Sequence, residues 1–168
     1  MPEPCRILGV DTSLRSTGVG VLLSDGIRHQ VCQYGVIAAG RTWPLSRCLR
    51  NLQEELLAVI EAEKPSVAAI EGIFFCKNVK TAVILGEARG VVIAACAQAG
   101  LTVLEYAPRR VKQAIVGRGA ADKSQVAFMV RTLFGLPEAP PPDAADALAI
   151  AYTHAIQLRS PNPEADSL

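Results

Sequence analysis

Two stretches, Arg6-Ile7-Leu8-Gly9-Val10-Asp11 and Val67-Ala68-Ala69-Ile70-Glu71, share one layout: a short unbroken apolar run that ends in an acid. Such a run, with no polar alternation, reads as a strand covered on both faces, the setting of a central strand in an α/β sheet. Between them, residues 17–23 read as a second strand with Gly18 and Gly20 on one side. Ser24-Asp25-Gly26 is a hairpin signal, and 27–38 read as the returning strand. Residues 45–60 carry Leu45, Cys48, Leu49, Leu52, Leu56, Val59 and Ile60 at helical spacing, and Pro65 closes that helix.

Past Glu71, residues 78–98 read as a long helix stopped by Gly100, and 101–106 as a fifth strand. Helices follow at about 109–116, 122–134 and 143–157, the last after the stiff Pro140-Pro141-Pro142 connector. The order is βββ-α-β-α-β-α-α-α. Three antiparallel strands followed by helical crossovers give an α/β fold with a five-stranded mixed sheet and helices on both faces. A single domain is expected over 1–158. Residues 159–168, polar with two prolines, are expected to be a disordered tail.

The topology has a chemical consequence. A strand reached through a helical crossover tends to lie parallel to its partner, so the first and fourth strands end at the same sheet edge. Asp11 and Glu71 then stand side by side, where α/β proteins place their sites. Asp143 and Asp146, in Asp143-Ala144-Ala145-Asp146-Ala147-Leu148-Ala149, are i and i+3 and share one helix face. One Asp there serves the helix N-terminus; a second on the same face is not explained by capping. Glu105, inside the fifth strand, reads as structural. Four carboxylates facing one point repel unless protons or cations lie between them. Oxygen donors with no nearby His or Cys suit Mg²⁺ or Mn²⁺. Two such ions roughly 4 Å apart can activate water and stabilise the leaving oxygen of a phosphodiester.

Composition narrows the class. A chain of 168 residues, half hydrophobic and one-fifth charged, is neither disordered nor long enough for two full-size domains. The five cysteines are odd in number and contain no CxxC pair, which argues against zinc and a disulfide framework. There is no secretory leader pattern, and the most apolar long window, 81–101, contains Glu87 and Arg89, so a cytoplasmic protein without a membrane span is expected.

Net charge is only +1, yet residues 109–131 hold Arg109, Arg110, Lys112, Arg118, Lys123 and Arg131 against Asp122 alone. Charge concentrated in this way is what a phosphate-binding surface needs. Phe74-Phe75 follows Glu71 closely, in a chain only 5% aromatic. Adjacent side chains in an extended segment point opposite ways, so one can be buried and the other free to stack on an unpaired base. Lys77 and Lys80 lie just beyond, and Asn78 is placed to cap the next helix. Along that helix Gly86, Gly90 and Ala94 form an i, i+4, i+8 stripe that allows close helix approach, either to the sheet or to a second copy.

Taken together these stretches resemble the RuvC family of Holliday junction resolvases. The matching motifs are Leu8-Gly9-Val10-Asp11, Ser16-Thr17-Gly18-Val19-Gly20-Val21, Ala69-Ile70-Glu71-Gly72-Ile73-Phe74-Phe75-Cys76-Lys77-Asn78 and Leu85-Gly86-Glu87-Ala88-Arg89-Gly90-Val91. Tyr106-Ala107-Pro108-Arg109-Arg110-Val111-Lys112-Gln113, Ala121-Asp122-Lys123-Ser124-Gln125-Val126 and the Asp143–Ala149 segment complete the set. Several motifs in one order, over nearly the whole chain, are far more specific than any single pattern. The resemblance implies an RNase H-like fold, a homodimer, and Mg²⁺-dependent paired nicking of four-way DNA junctions, with two metals per site. It implies that Asp11, Glu71, Asp143 and Asp146 are the catalytic, metal-holding acids and that the products are a 5′-phosphate and a 3′-hydroxyl. It further implies phosphate contacts at Lys112 and Lys123, an aromatic at the junction centre at Phe74, and a branch-migration motor complex as a candidate partner. Arg109, Arg118, Lys77 and Lys80 join the expected DNA surface, and Gly86, Gly90 and Ala94 the expected dimer interface. Thr12-Ser13 stands where the family usually has Pro-Gly, and Gly72 where it commonly has a larger polar residue.

Three other classes compete. A DNA-binding module that has lost its chemistry is disfavoured by four intact acids. A nucleotide-binding domain of the actin-like kind needs a second domain and a second phosphate loop, and neither fits in 168 residues. A nuclease for RNA–DNA hybrids shares the acid pattern, but the Phe74 loop and the basic segment favour branched DNA.

Overall fold

The computed structural model describes residues 3–73, 76–117, 121–161 and 165–168. Strands β1 (Cys5–Asp11), β2 (Ser16–Ser24) and β3 (His29–Ala38) form the opening antiparallel meander. Helix α1 (Leu45–Glu63) leads to β4 (Val67–Glu71), and α2 (Val79–Gln98) leads to β5 (Thr102–Tyr106). Helices α3 (Pro108–Val116), α4 (Lys123–Phe134) and α5 (Pro142–Ala155) follow, then the two-residue β6 (Asp166–Ser167). The sheet order is β3-β2-β1-β4-β5-β6, with β1, β4 and β5 mutually parallel.

The strand alternation sorts residues to two cores. Ile7, Val67 and Ala69 face one layer, with α3, α4 and α5. Leu8, Val10, Ala68 and Ile70 face the other, with α1 and α2. Each fully buried aliphatic side chain contributes about 1.5–3 kcal/mol relative to exposure. The sequence shows no polar alternation in β1 and β4 because both of their faces are core.

The sheet has six strands where the sequence predicts five, and the sixth lies within the 159–168 segment expected to be a disordered tail. Asp166 pairs with Glu105 and Ser167 with Leu104, and the Leu168 N–H donates to the Val103 carbonyl at 3.0 Å. The outer edge of β5 would otherwise present unpaired backbone groups, and the chain end covers part of it. Two polar residues carry no periodicity, so this strand has no local signature.

The cap expected at Asn78 is present, and a second one starts α4. The Asn78 side chain accepts from the Thr81 N–H at 3.2 Å, and Asp122 with Gln125 forms a capping box at the start of α4. All five cysteines are free thiols. No helix among the described residues is long and apolar enough to cross a membrane.

Candidate active site

Asp11 is the last residue of β1 and Glu71 the last of β4. The parallel register pairs Val10 with Ile70, so one further step sets the two acids abreast at the sheet edge. Helix α5 then crosses β1 and β2 close enough that only glycine fits beneath it. A Cβ at Gly9 would lie 2.0 Å from the Ala147 carbonyl oxygen, and one at Gly18 would lie 1.8 Å from that of Asp143. This close approach brings Asp143 and Asp146 over the end of β1. The residue ahead of α5, Pro141, makes no side-chain cap, and Asp143 instead accepts a hydrogen bond from the Ser16 hydroxyl at the start of β2.

One carboxylate oxygen from each of Asp11, Asp143 and Asp146 lies within 4.8 Å of the others. Glu71 stands beside this trio rather than within it. Together with Asp11 it lines two adjoining cavities. One, of about 340 Å³, also takes in Asp146, Lys112 and Lys123. The other, of about 240 Å³, is bounded by Thr12, Gly72, Leu85 and Arg89. The Lys123 ammonium sits 3.4 Å from Asp146 Oδ2 and 3.6 Å from Asp143 Oδ1.

The charges make a strained electrostatic balance. Burial, then the neighbouring Asp146 and Glu71 carboxylates, push Asp11 up to about 7, against the pull of Lys123. Burial and Asp146 also raise Glu71, and burial raises Asp146 despite the Lys123 contact. Burial opposes the charge on Lys123, but Asp146, Asp11 and Asp143 outweigh it and hold the ammonium above its ordinary value. A half-buried, all-oxygen donor set whose members resist ionising together fits a divalent cation, which would neutralise them.

This balance predicts a pH dependence. With chelator present, folded Asp11 keeps its proton up to about pH 7, whereas the unfolded chain releases it near 3.8. Between those values the folded state binds more protons, so stability falls as pH rises and levels off above the folded value. The melting temperature in EDTA is expected to drop between about pH 4 and 7 and then level off, and added Mg²⁺ to raise it more at the upper end. A flat profile with no effect of the cation would contradict this balance.

The remaining sequence candidates divide. Lys112 lines the cavity beside the acids, while Arg109 is exposed on α3. Lys77, just ahead of the α2 cap, and Lys80, in the first turn of α2, are both exposed. Phe74 and Arg118 lie outside the described residues. Gly86, Gly90 and Ala94 form an exposed line on α2, and a Cβ at either glycine would meet nothing within 4 Å, so sheet packing does not require these glycines.

Two site-building residues escaped the sequence reading. Ser16 anchors Asp143. Arg89 pairs with Glu105 and also donates to the Glu71 carbonyl at 3.4 Å, bracing the end of β4. Neither partner is near in sequence, so no spacing rule reveals the pair.

Acids at the ends of adjacent parallel strands, completed by a helix laid across them, define an RNase H-like nuclease architecture. A family model described as crossover junction endodeoxyribonuclease RuvC matches residues 7–154. The chain belongs to that RuvC family, whose nuclease chemistry implies use of a divalent metal. The crossover junction endodeoxyribonuclease RuvC of Caldicellulosiruptor saccharolyticus is 45% identical over 92% of this chain and 95% of that relative. The protein of the same name from Akkermansia muciniphila is 44% identical over 89% of each chain. Among solved structures, T. thermophilus RuvC in complex with Holliday junction substrate superposes with a TM-score of 0.88 at 34% identity, covering 98% of this chain and 99% of that one. The yeast mitochondrial Holliday junction resolvase Ydc2 shares the fold, with a TM-score of 0.66 at 12% identity over 92% of this chain and 79% of that one.

Proposed function

We propose that this chain is a Holliday junction resolvase: a homodimer that cuts four-way DNA junctions by paired, symmetric nicks. The observation that carries the reading is the convergence of Asp11, Asp143 and Asp146 beside Glu71 and Lys112, in a chain whose family is built around junction cleavage. In this reading Asp11, Glu71, Asp143 and Asp146 hold Mg²⁺, two ions per site, with Mn²⁺ as a substitute. Bound divalent cations supply Lewis acidity at the scissile phosphodiester. The protein supplies placement. Lys112 and Lys123 draw the phosphate toward the acids, and Ser16 fixes the Asp143 carboxylate. Water attacks phosphorus, the bond to the 3′ oxygen breaks, and that oxygen takes a proton, leaving a 5′-phosphate and a 3′-hydroxyl.

Lys77, Lys80, Arg109 and Arg118 extend the phosphate surface, and Phe74 stacks at the junction centre. The nuclease domain is taken as 1–158, with the pairing of Asp166 and Ser167 against β5 adding an edge strand from beyond that boundary. The protein works in the cytoplasm, where a branch-migration motor complex is its candidate partner.

The reading is tested on three end-labelled substrates: a four-way junction, a linear duplex and an RNA–DNA hybrid, each with Mg²⁺ or EDTA. Cutting of the junction alone, with Mg²⁺ alone, is expected. Preferential cutting of the hybrid would keep the metal site and overturn the substrate.

The dimer is supported by the apolar face of α2. Val79 is 78% exposed and Val83 55%, and they continue the open line of Gly86, Gly90 and Ala94. An exposed glycine inside a helix costs about 1 kcal/mol relative to alanine, so two in open positions point to a close neighbour. Gly90→Arg is expected to leave the monomer folded and abolish the dimer in sedimentation analysis. Sedimentation of that variant as a dimer would contradict this interface.

A further inference from the structure

A third concavity, of about 640 Å³, lies away from the acids and is lined by Trp43, Ser46, Arg47, Arg50, Asn51 and Glu54. The segment from Arg41 to Asn51 contains three arginines and no acid. The Arg47 guanidinium sits 4.0 Å over the Trp43 ring, so its charge is held at the cleft rather than swinging free. Arg50 pairs with Glu54 at 2.7 Å, but both side chains are more than half exposed. Such an exposed pair is worth only about 0.2–1 kcal/mol, so an arriving phosphate can take Arg50 from Glu54.

The cleft is tied to the active edge of the sheet. Arg15, in the β1–β2 turn four residues past Asp11, donates to the Trp43 carbonyl at 3.3 Å and to that of Gly40. Ser16 pairs with Ala38, so β3 ends beside the start of β2 and delivers the 41–51 segment to the edge that carries Asp11. Lys112 and Lys123 flank the acids from the α3–α4–α5 layer. The arginine cleft flanks the same edge from the α1–α2 layer. Cationic groups therefore stand on both sides of the acids, as a duplex with two phosphate backbones would require. The cleft itself holds no carboxylate of the catalytic group, so it has no means of cutting.

Resting on the resolvase reading, we propose that Arg47 and Arg50 form a second phosphate-binding surface that holds a duplex arm of the junction, on the side of the acids opposite Lys112 and Lys123. Its role is positioning, and its ligand is the sequence-independent DNA backbone.

The test uses full-length R47Q/R50Q and binding of a fluorescent four-way junction in EDTA across a salt series. Each lost phosphate contact should flatten the slope of log affinity against log salt by about 0.9. We expect the double variant to lose close to two units of slope and on the order of tenfold in affinity at moderate salt. In Mg²⁺, KM should rise while kcat stays near the wild-type value. R28Q, at the β2–β3 hairpin on the far sheet edge, should match wild type in both respects. An unchanged slope in R47Q/R50Q would overturn the proposal, even with a lower melting temperature, because loss of the Trp43 stack alone affects folding and not counterion release. Failure of the wild-type chain to bind the junction would overturn the resolvase reading and this surface with it. Normal wild-type binding with an unchanged variant slope overturns this surface alone.

Discussion

Replacing Asp11 by asparagine is expected to slow junction cutting by on the order of 1,000-fold while leaving the fold and junction binding in place. Asp11 is the acid on which the site converges. It ends β1, it belongs to the mutually close carboxylate trio, and it lines both cavities beside Glu71. Asparagine keeps the shape and one oxygen but removes the charge that a divalent cation needs. The same change relieves repulsion from Asp146, Glu71 and Asp143. In EDTA at about pH 8 the variant should therefore melt higher than wild type, and it should bind junction at least as tightly. A variant that is inactive yet more stable is hard to explain by misfolding. Cutting at the wild-type rate would remove Asp11 from the machinery.

Gly18→Ala should damage both the fold and the site. Its Cβ would sit 1.8 Å from the Asp143 carbonyl oxygen and 3.0 Å from the Ala144 nitrogen, both backbone atoms that no rotamer change can move aside. Gly18 pairs with Asp11 in the β1–β2 ladder, so the strand cannot retreat cheaply either. Helix α5 has to lift at its N-terminal end, and it takes Asp143 and Asp146 with it. Overpacking of this kind costs about 1–3 kcal/mol or more. A displacement near 1 Å at reacting groups costs on the order of 100-fold in rate. Gly35→Ala is the control, because a Cβ there meets nothing within 4 Å. Denaturant melts together with junction cutting check the pair. Wild-type stability in Gly18→Ala would contradict the close crossing of α5 over β2.

The features legible in the sequence are those with a local physical cause. The unbroken apolar runs before Asp11 and Glu71 reflect strands buried on both faces. Crossover topology then implies that the two acids are neighbours, as the Val10–Ile70 register requires. The i, i+3 spacing of Asp143 and Asp146 places both on one face of α5, and their small neighbours Ala144, Ala145 and Ala147 are fully buried. The illegible features depend on partners far away in the chain. Strand β6 exists because β5 leaves an edge open, not because Asp166-Ser167 favours extension. Ser16 reaches Asp143 across 127 positions, and Arg89 in α2 reaches Glu105 in β5 across 16. The spacing of Gly86, Gly90 and Ala94 fitted sheet packing and a partner helix equally well. The open space around the two glycines shows that sheet packing does not require them, which leaves the partner helix as a proposal.

The most direct test of the central claim is a strand-resolved map of the cuts in a four-way junction, with each of the four strands end-labelled in turn. The account predicts two nicks, on opposing strands at matched positions, that DNA ligase seals without further processing, since the ends are a 5′-phosphate and a 3′-hydroxyl. One nick per junction, unmatched positions, or ends that ligase cannot seal would contradict it.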